Sequence, residues 1–365
     1  MKILFISRTY PPVIGGMEKL SYGLINSVAK LKGVEVTAIV NRYGKKTLPF
    51  FMVSSLIKAV LSARKYDVIH LSDAVLAPLG DIIKMFHPKI KVICTIHGLD
   101  ITYGEKNLFY KKVNLNALNF MDKIIAVSQK TKETAVNLDI KEEKIKVIPC
   151  GVYAGEHFDK SIKKSQVIKL IKKKSKRFDI KDPQKFVYIL TLGRLCKRKG
   201  IHWFIQNVLP DLDKKAIYLI AGEGVEKEKI LKSIKKKKLR KRVYFLGFVT
   251  EAEKKILFNG AQIFVQPNIK VPGDMEGFGI TMIEASLCRT VVVASGIEGI
   301  KEAIDHKKNG ILLKPKDKAK YREVLNALIR NRDLRRDLAK KFRLFSKSHF
   351  DWPIIAKKYL KEFKK

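Results

Sequence analysis

KILFISRTYPPVIGGMEKLSYGLINSVAKLKGVEVTAIV, residues 2–40, holds three patterns in succession. KILFIS and VEVTAIV are short runs rich in Val and Ile, the composition of buried strands. Residues 17–32 between them are amphipathic, so the stretch reads strand, helix, strand. A connection that long joins parallel strands, because a hairpin turn has no room for a helix. Gly15 and Gly16 fall where the first strand gives way to the helix.

The same alternation continues outward. VIHLS, KVICTIH, KIIAVS and KIKVIPC follow, with further helical patterns such as 107–121 between them. A second series starts near residue 186 with FVYILTLGRL, AIYLIAGEG, VYFLGFV, IFVQPN, TVVVAS and ILLK. The fold class is therefore α/β, with two Rossmann-like parallel-sheet domains. Their expected limits are 1–155 and 156–349, and the connection from Pro149 to about Pro183 carries KKSQVIKLIKKKSKR. Val167, Ile168, Leu170 and Ile171 give that run an apolar side, so it reads as a solvated amphipathic helix rather than a nucleic-acid arm. The tail is helical from Asp317, and Trp352–Phe363 forms a last amphipathic helix. Ligands of open α/β sheets bind beyond the carboxyl ends of the strands. Two such domains facing a central cleft would gather there the loops at Gly15–Gly16, His97–Gly98, Gly193–Arg194, Gly222–Gly224, Gly273–Gly279 and Gly296–Gly299.

A chain of 365 residues accommodates two sizeable cores, and 46% hydrophobic with 30% charged residues describes a globular protein. The longest apolar run, LPFFMVSSLIKAVLSA, is interrupted by Lys58 and is too short to span a membrane. MKILFISRTYPP lacks the longer apolar region and cleavage site of a signal peptide, and reads as a first strand. Cys94, Cys150, Cys196 and Cys288 form no CxxC pair, which points to free thiols in a cytoplasmic setting. The 75 Lys and Arg against 35 Asp and Glu give +40, a field that favours anionic partners or reflects a proteome-wide lysine bias.

DMEGFGITMIEAS, residues 274–286, places Glu276 and Glu284 around a Gly-x-Gly turn. A glycosidase pair must flank one bond at roughly 5 to 9.5 Å. An eight-residue step spans roughly 12 Å along a helix, and Ile280 to Cys288 has helical character. That separation suits a nucleoside-diphosphate sugar: the sugar at one carboxylate, ribose at the other, and the diphosphate on the N–H groups of a helix starting at Phe278, Gly279 and Ile280. TLGRLCKRKG adds Arg194 and Lys199 as diphosphate ligands, or as a solvated basic loop. IAGEGVEKE has Lys227 where a dinucleotide fingerprint needs its third glycine, so Gly222 and Glu223 read as a tight turn beside the donor. His97 ends a strand. No Ser or Cys nucleophile is spaced to pair with it, and the seven histidines make no metal cluster. The Asp211–Asp213 triplet lies before a strand, at the edge away from the cleft, and reads as a polar turn.

Taken together, PPVIGGMEK, TIHGLD, GRLCKRKG, FLGFV, EGFGITMIEA, GIEGIKEAI and NGILLKP resemble, in order, the retaining glycosyltransferases of family 4, enzymes of the GT-B fold. The resemblance covers nearly the whole chain. It implies that Glu276 faces the transferred sugar, Glu284 holds the ribose hydroxyls, and Arg194 and Lys199 neutralise the diphosphate. His97 would lie beside the sugar, and Gly15 and Gly16 would let the first loop approach donor and acceptor. The 350–365 helix would cross back onto the N-terminal, acceptor-binding domain, leaving 156–349 as the donor-binding domain. IPCGVY, residues 148–153, departs from the family's Ile-Pro-Asn-Gly-Val-Asp hinge at Cys150 and Tyr153.

The expected reaction is transfer of a hexose, mannose among the candidates, from a UDP- or GDP-sugar to a glycan or lipid-linked acceptor. Configuration is retained, and neither metal nor cofactor takes part. Alternatives are another GT-B enzyme, a glycoside phosphorylase or nucleotide-sugar epimerase, and a basic nucleic-acid-binding protein, for which no zinc or RNP motif speaks. An anionic membrane surface is a further candidate partner, which would make the protein peripheral at the inner face. Arg42, Lys45, Lys46, Lys58, Arg64 and Lys65 flank Phe50, Phe51, Met52, Leu56 and Ile57 there.

Overall fold

Each Val- and Ile-rich run becomes one strand, and among the described residues twelve strands form two parallel sheets of six. The computed structural model describes residues 1–13, 15–103, 107–175 and 177–365. The chain divides into two compact units. Unit 1 comprises Met1–Tyr153, Pro272–Phe278 and His349–Lys365; unit 2 comprises Ala154–Val271 and Gly279–Ser348. Pro272–Phe278, which sequence reasoning left with the second half, thus belongs to unit 1. The tertiary contacts of Gly277 that hold it there carry no local signature.

Unit 1 contains β1 (Lys2–Ser7), β2 (Glu35–Val40), β3 (Val68–Leu71), β4 (Lys91–Ile96), β5 (Lys123–Ala126) and β6 (Ile145–Val147), in the order β2-β1-β3-β4-β5-β6. Alternate side chains of β1 serve opposite faces. Leu4 and Ile6 join the core under helices Leu48–Ser62 and Ala77–Phe86, whereas Ile3 and Phe5 join the core under helices Gly16–Ala29 and Trp352–Lys364. Trp352 is the keystone of the second core. A Cβ on Gly23 would come within 2.1 Å of its indole nitrogen, and one on Gly151 within 2.4 Å of its ring. Lys123 of β5 pairs at 2.7 Å with Glu362 of helix Trp352–Lys364.

Two segments differ from their sequence pattern. The 17–32 helix stops at Ala29, because Gly33 turns the chain with φ of 76°. The 107–121 segment is broken into Leu108–Tyr110, a π-helical Lys111–Leu115 and Asn116–Leu118. Leu115, Ala117 and Leu118 reach the core from it, and Leu108 and Phe109 stay exposed.

Unit 2 contains β7 (Val187–Leu192), β8 (Ala216–Ala221), β9 (Val243–Gly247), β10 (Ile263–Gln266), β11 (Val291–Ser295) and β12 (Ile311–Leu313), ordered β12-β11-β10-β7-β8-β9. Helix Lys164–Lys174 buries Val167, Ile168, Leu170 and Ile171. Both sheets reverse their strand order once, between β1 and β3 in unit 1 and between β7 and β10 in unit 2. Such a reversal splays the flanking loops apart and opens a crevice at the strands' carboxyl ends.

Candidate active site

In unit 1 the reversal brings together the ends of β1 and β3. Arg8 Nε donates to Asp73 Oδ1 at 2.9 Å, and Asp73 is fully buried. Beside it, Asp100 accepts from the Ala74 N–H at 3.1 Å and from the His97 N–H at 2.9 Å. His97 Nε2 lies 2.9 Å from the Ser72 carbonyl oxygen, which can only accept, so that nitrogen carries the proton. The ring is held at Nε2 and the backbone at its N–H, and the neutral form with that proton keeps Nδ1 as an acceptor. Deeper in the sheet, His70 Nε2 meets Thr95 Oγ1 at 2.9 Å, and complete burial drives its pKa down to about 3.

The segment Pro272–Phe278 lies against this cluster. A Cβ on Gly98, whose φ is 105°, would approach Met275 Cε at 2.7 Å, and one on Gly277 would strike the His97 carbonyl oxygen at 2.1 Å. Both glycines exist for that close approach, which holds the backbone of the Glu276 segment on the loop of His97. Glu276 is buried, Thr134 Oγ1 meets Met275 Sδ at 3.7 Å, and Phe278 stacks edge-on against Phe350 at 5.9 Å. Gly15 begins the helix Gly16–Ala29 with extended backbone, and nothing lies within 4 Å of a Cβ on Gly16. The fold itself therefore does not require glycine at position 16.

In unit 2 the reversal sets the loop after β7 beside the loop after β10. Ile269 N–H donates to the Arg198 carbonyl at 2.8 Å, and a Cβ on Gly200 would overlap the Pro267 carbonyl oxygen at 1.9 Å. Arg194 is exposed at the end of β7, while Lys199 and Arg198 are buried in the same loop. Gly222 has a structural reason: with φ of 131°, its Cβ would lie 2.0 Å from the Gly193 carbonyl oxygen. Glu223 pairs with Lys227 at 3.3 Å on the surface.

Helix Ile280–Leu287 starts at Gly279, whose φ of 84° favours glycine, and no side chain caps its first N–H groups. Glu284 lies about 7 Å further along the axis. It is 5% exposed, with Oε1 2.6 Å from Lys254 Nζ and 3.6 Å from His157 Nε2. Unit 2 thus gathers Arg194, Lys199, Gly279, Ile280 and Glu284 at strand ends, and unit 1 gathers His97, Glu276 and Phe278. Sequence reasoning missed Arg8, Asp73, Asp100, His157, Arg198 and Lys254. Asp100 had a visible signal in its three-residue step from His97; Lys254 had none.

Asp211 and Asp213 occupy the opposite ends of the strands, where Asp211 pairs with Arg322 at 2.9 Å and Asp213 with Arg330 at 3.1 Å. Among the described residues, no cluster of three or more His, Cys, Asp or Glu side chains is arranged to hold a metal. The four cysteines are free.

The profile described as glycosyl transferases group 1 matches residues 172–345, and that of glycosyltransferase family 4 matches residues 14–155. An uncharacterized glycosyltransferase of Methanocaldococcus jannaschii is 26% identical, across 100% of this chain and 98% of the relative. The O-antigen biosynthesis glycosyltransferase WclY of Escherichia coli is 27% identical over 66% of this chain and 64% of its own length. Among solved structures, Anabaena HepE in complex with UDP superposes with a TM-score of 0.78 at 20% identity, covering 100% of both chains. Both halves are matched in order and the fold is shared from end to end: the chain belongs to the group 1 glycosyltransferases and has the GT-B fold.

Proposed function

We propose that this glycosyltransferase moves a hexose, with retention of configuration and without a metal ion, from a UDP- or GDP-sugar to a glycan or lipid-linked acceptor. The observation that carries the reading is in unit 2. A buried carboxylate, Glu284, lies one to two turns below an uncapped helix start, with Arg194 and Lys199 on the loop across the strand reversal. Free N–H groups and cations suit a diphosphate, and a carboxylate at that depth suits a ribose diol. HepE, of like fold, is recorded with UDP, and WclY takes its name from O-antigen biosynthesis, which supports a cell-surface glycan product.

Unit 2 then binds the donor and unit 1 the acceptor. Arg194, Lys199 and the N–H groups after Phe278 stabilise the charge that grows on the departing diphosphate. Glu276 positions the sugar hydroxyls, His97 flanks the sugar, and Gly15 and Gly16 give the acceptor access. The departing phosphate oxygen takes the acceptor's proton. Gly222 and Glu223 contribute shape to the donor loop rather than ligands.

The test is to incubate the pure protein with UDP- and GDP-hexoses, with and without lipid-linked acceptors and with EDTA. Nucleotide release that depends on acceptor, survives EDTA and keeps the anomeric configuration by NMR is the expected result. Sugar 1-phosphate formed from a glycan and inorganic phosphate would identify a phosphorylase instead, and epimer formed without acceptor an epimerase. Retention of RNA or DNA on filters at physiological salt would favour the nucleic-acid alternative.

A second reading, peripheral attachment to an anionic membrane from the cytoplasm, rests on helix Leu48–Ser62. Phe51, Met52 and Leu56 pack on the core, while Phe50, Val53, Ile57 and Leu61 form an exposed stripe at helical spacing. Met85, Phe86, Leu108 and Phe109 are exposed on neighbouring segments of the same layer. Arg42, Lys46, Lys58, Arg64 and Lys65 are exposed around the stripe, and the side chain of Lys45 lies outside the described residues. Apolar insertion and about 1 kcal/mol per basic residue near the surface would add up there. No helix among the described residues is long and apolar enough to cross a membrane. Sedimentation with anionic but not neutral vesicles, lost on changing Phe50 and Leu61 to Ser, is expected. Equal sedimentation with both kinds of vesicle, or with neither, rejects the attachment.

A further inference from the structure

The carboxylate of Glu284 does not stand by itself. Helix Glu251–Gly260 packs beside helix Ile280–Leu287 and sends Lys254 Nζ to 2.6 Å from Glu284 Oε1. The Lys254 side chain is only 13% exposed, and its ammonium lies 5.6 Å from the centre of the Phe258 ring. On the other side, the short helix Ala154–His157 brings His157 Nε2 to 3.6 Å from the same oxygen. Ionising a carboxylate that is 5% exposed costs several kcal/mol unless a cation offsets it. The protonated acid would lose acceptor capacity, and a ribose diol needs an acceptor for each hydroxyl.

We infer that Lys254 is a positioning residue that sets the enzyme's preference for ribonucleotide over 2′-deoxyribonucleotide donors, by holding Glu284 ionised and fixing its rotamer. The inference rests on the reading of Glu284 as the ribose carboxylate. An ionised carboxylate has about four acceptor positions, and the ammonium engages Oε1, so the pair forms a cation-anchored acceptor. The contact crosses from one helix to another 30 positions apart, which fixes the carboxylate against both helices. Lys254 acts through Glu284 and is remote from the bond that breaks, so its loss affects donor capture and leaves the chemical step intact.

The experiment measures binding of UDP, GDP and their 2′-deoxy forms by titration calorimetry to the parent, Lys254→Met, Lys254→Arg and Glu284→Gln. Melting without nucleotide reports folding separately. For whichever nucleotide binds, Lys254→Met is expected to weaken the ribo form about 10-fold, the loss of roughly one charge-assisted hydrogen bond. It should weaken the 2′-deoxy form clearly less, by about 3-fold, because that ligand keeps only one of the two hydroxyls through which the effect passes. Lys254→Arg should restore most of the affinity, and turnover at saturating donor should change little while KM rises. If Glu284→Gln weakens the ribo form and Lys254→Met does not, the inference is overturned and the ribose role of Glu284 stands. Equal weakening of ribo and deoxy forms by Lys254→Met also overturns it, because Lys254 then acts on the phosphates or the fold. If Glu284→Gln fails to distinguish ribo from deoxy forms, the ribose reading itself falls, and the inference with it.

Discussion

The two sheets are built alike, yet their strand reversals carry opposite chemistry. In unit 1 the loops at the reversal enclose polar side chains that neutralise each other: Arg8 with Asp73, Asp100 with backbone N–H groups, His70 with Thr95. In unit 2 the equivalent loops contact one another backbone to backbone, at Gly193 with Gly222 and Gly200 with Pro267, with Arg194 exposed and Arg198 and Lys199 buried. The first arrangement holds a shape and exposes one histidine edge. The second keeps Arg194 exposed at the end of β7, where the proposed donor diphosphate would settle. One fold thus supplies a rigid wall and, on the proposed function, an anion seat, depending on what the reversal buries.

The sharpest way to break the contrast is Arg194→Ala. A preorganised cation on a growing negative charge commonly contributes 10²- to 10³-fold, so turnover at saturating donor should fall by about that factor. Melting of the free protein should not move, since Arg194 is exposed. Unchanged turnover would remove the anion seat from the chemistry. Next in size, Asp73→Ala leaves Arg8 beside a buried void and is expected to cost about 3 kcal/mol, at the lower end for a broken buried pair because Arg8 is partly exposed. Hydrogen exchange should show the loss in unit 1 and spare unit 2. Uniform loss across both units would mean that the cluster is not a local wall.

Acid sharpens the same contrast. His70 has a folded pKa near 3 against about 6.5 unfolded, so both states are neutral above pH 6.5. As pH falls below that value, the unfolded chain takes up a proton that the folded one refuses. Stability is lost at up to about 1.4 kcal/mol per pH unit until the folded pKa is reached. Urea titrations at pH 7 and pH 5 should show a steeper loss for the parent than for His70→Gln, and identical losses would exclude His70 as the cause. The smallest effect belongs to Thr250→Ala. This removes a capping box, in which Thr250 accepts from the Glu253 N–H at 3.2 Å and Glu253 from the Thr250 N–H at 3.0 Å, at a cost of about 1 kcal/mol. Donor affinity should follow it only slightly; a large drop would mean that Lys254 depends on the first turn of its helix.

The central strands were legible because parallel strands buried on both faces are written as unbroken Val and Ile runs, and the partly exposed edge strands β2, β6 and β12 by their Val, Ile and Leu content alone. Their order was not, since it depends on which helices share a face rather than on any local pattern. Glu276 and Glu284 stood out by spacing, but their membership of different units did not. That follows from Gly277 lying on the His97 carbonyl, a contact between residues 180 positions apart in sequence. Lys254 was invisible for the same reason: one lysine among many, distinguished only by what it meets. The stripe Phe50, Val53, Ile57 and Leu61 shows the converse. Its apolar neighbours Phe51, Met52 and Leu56 look identical in sequence, and only the packed sheet tells the two sides of the helix apart.

Trp352, wedged against Gly23 and Gly151, has a consequence for how the molecule is made. Helix Gly16–Ala29 leaves the ribosome early, but the indole that covers it is translated only after the whole of unit 2. At about 5 to 20 residues per second, the roughly 320 residues between that helix and Trp352 take on the order of 16 to 65 s. During that time Leu24, Ile25 and Val28 face water or a chaperone, while most of unit 2 can already close on itself. The half that begins first is completed last, and a nascent chain stalled before residue 349 presents that uncovered apolar face to quality control.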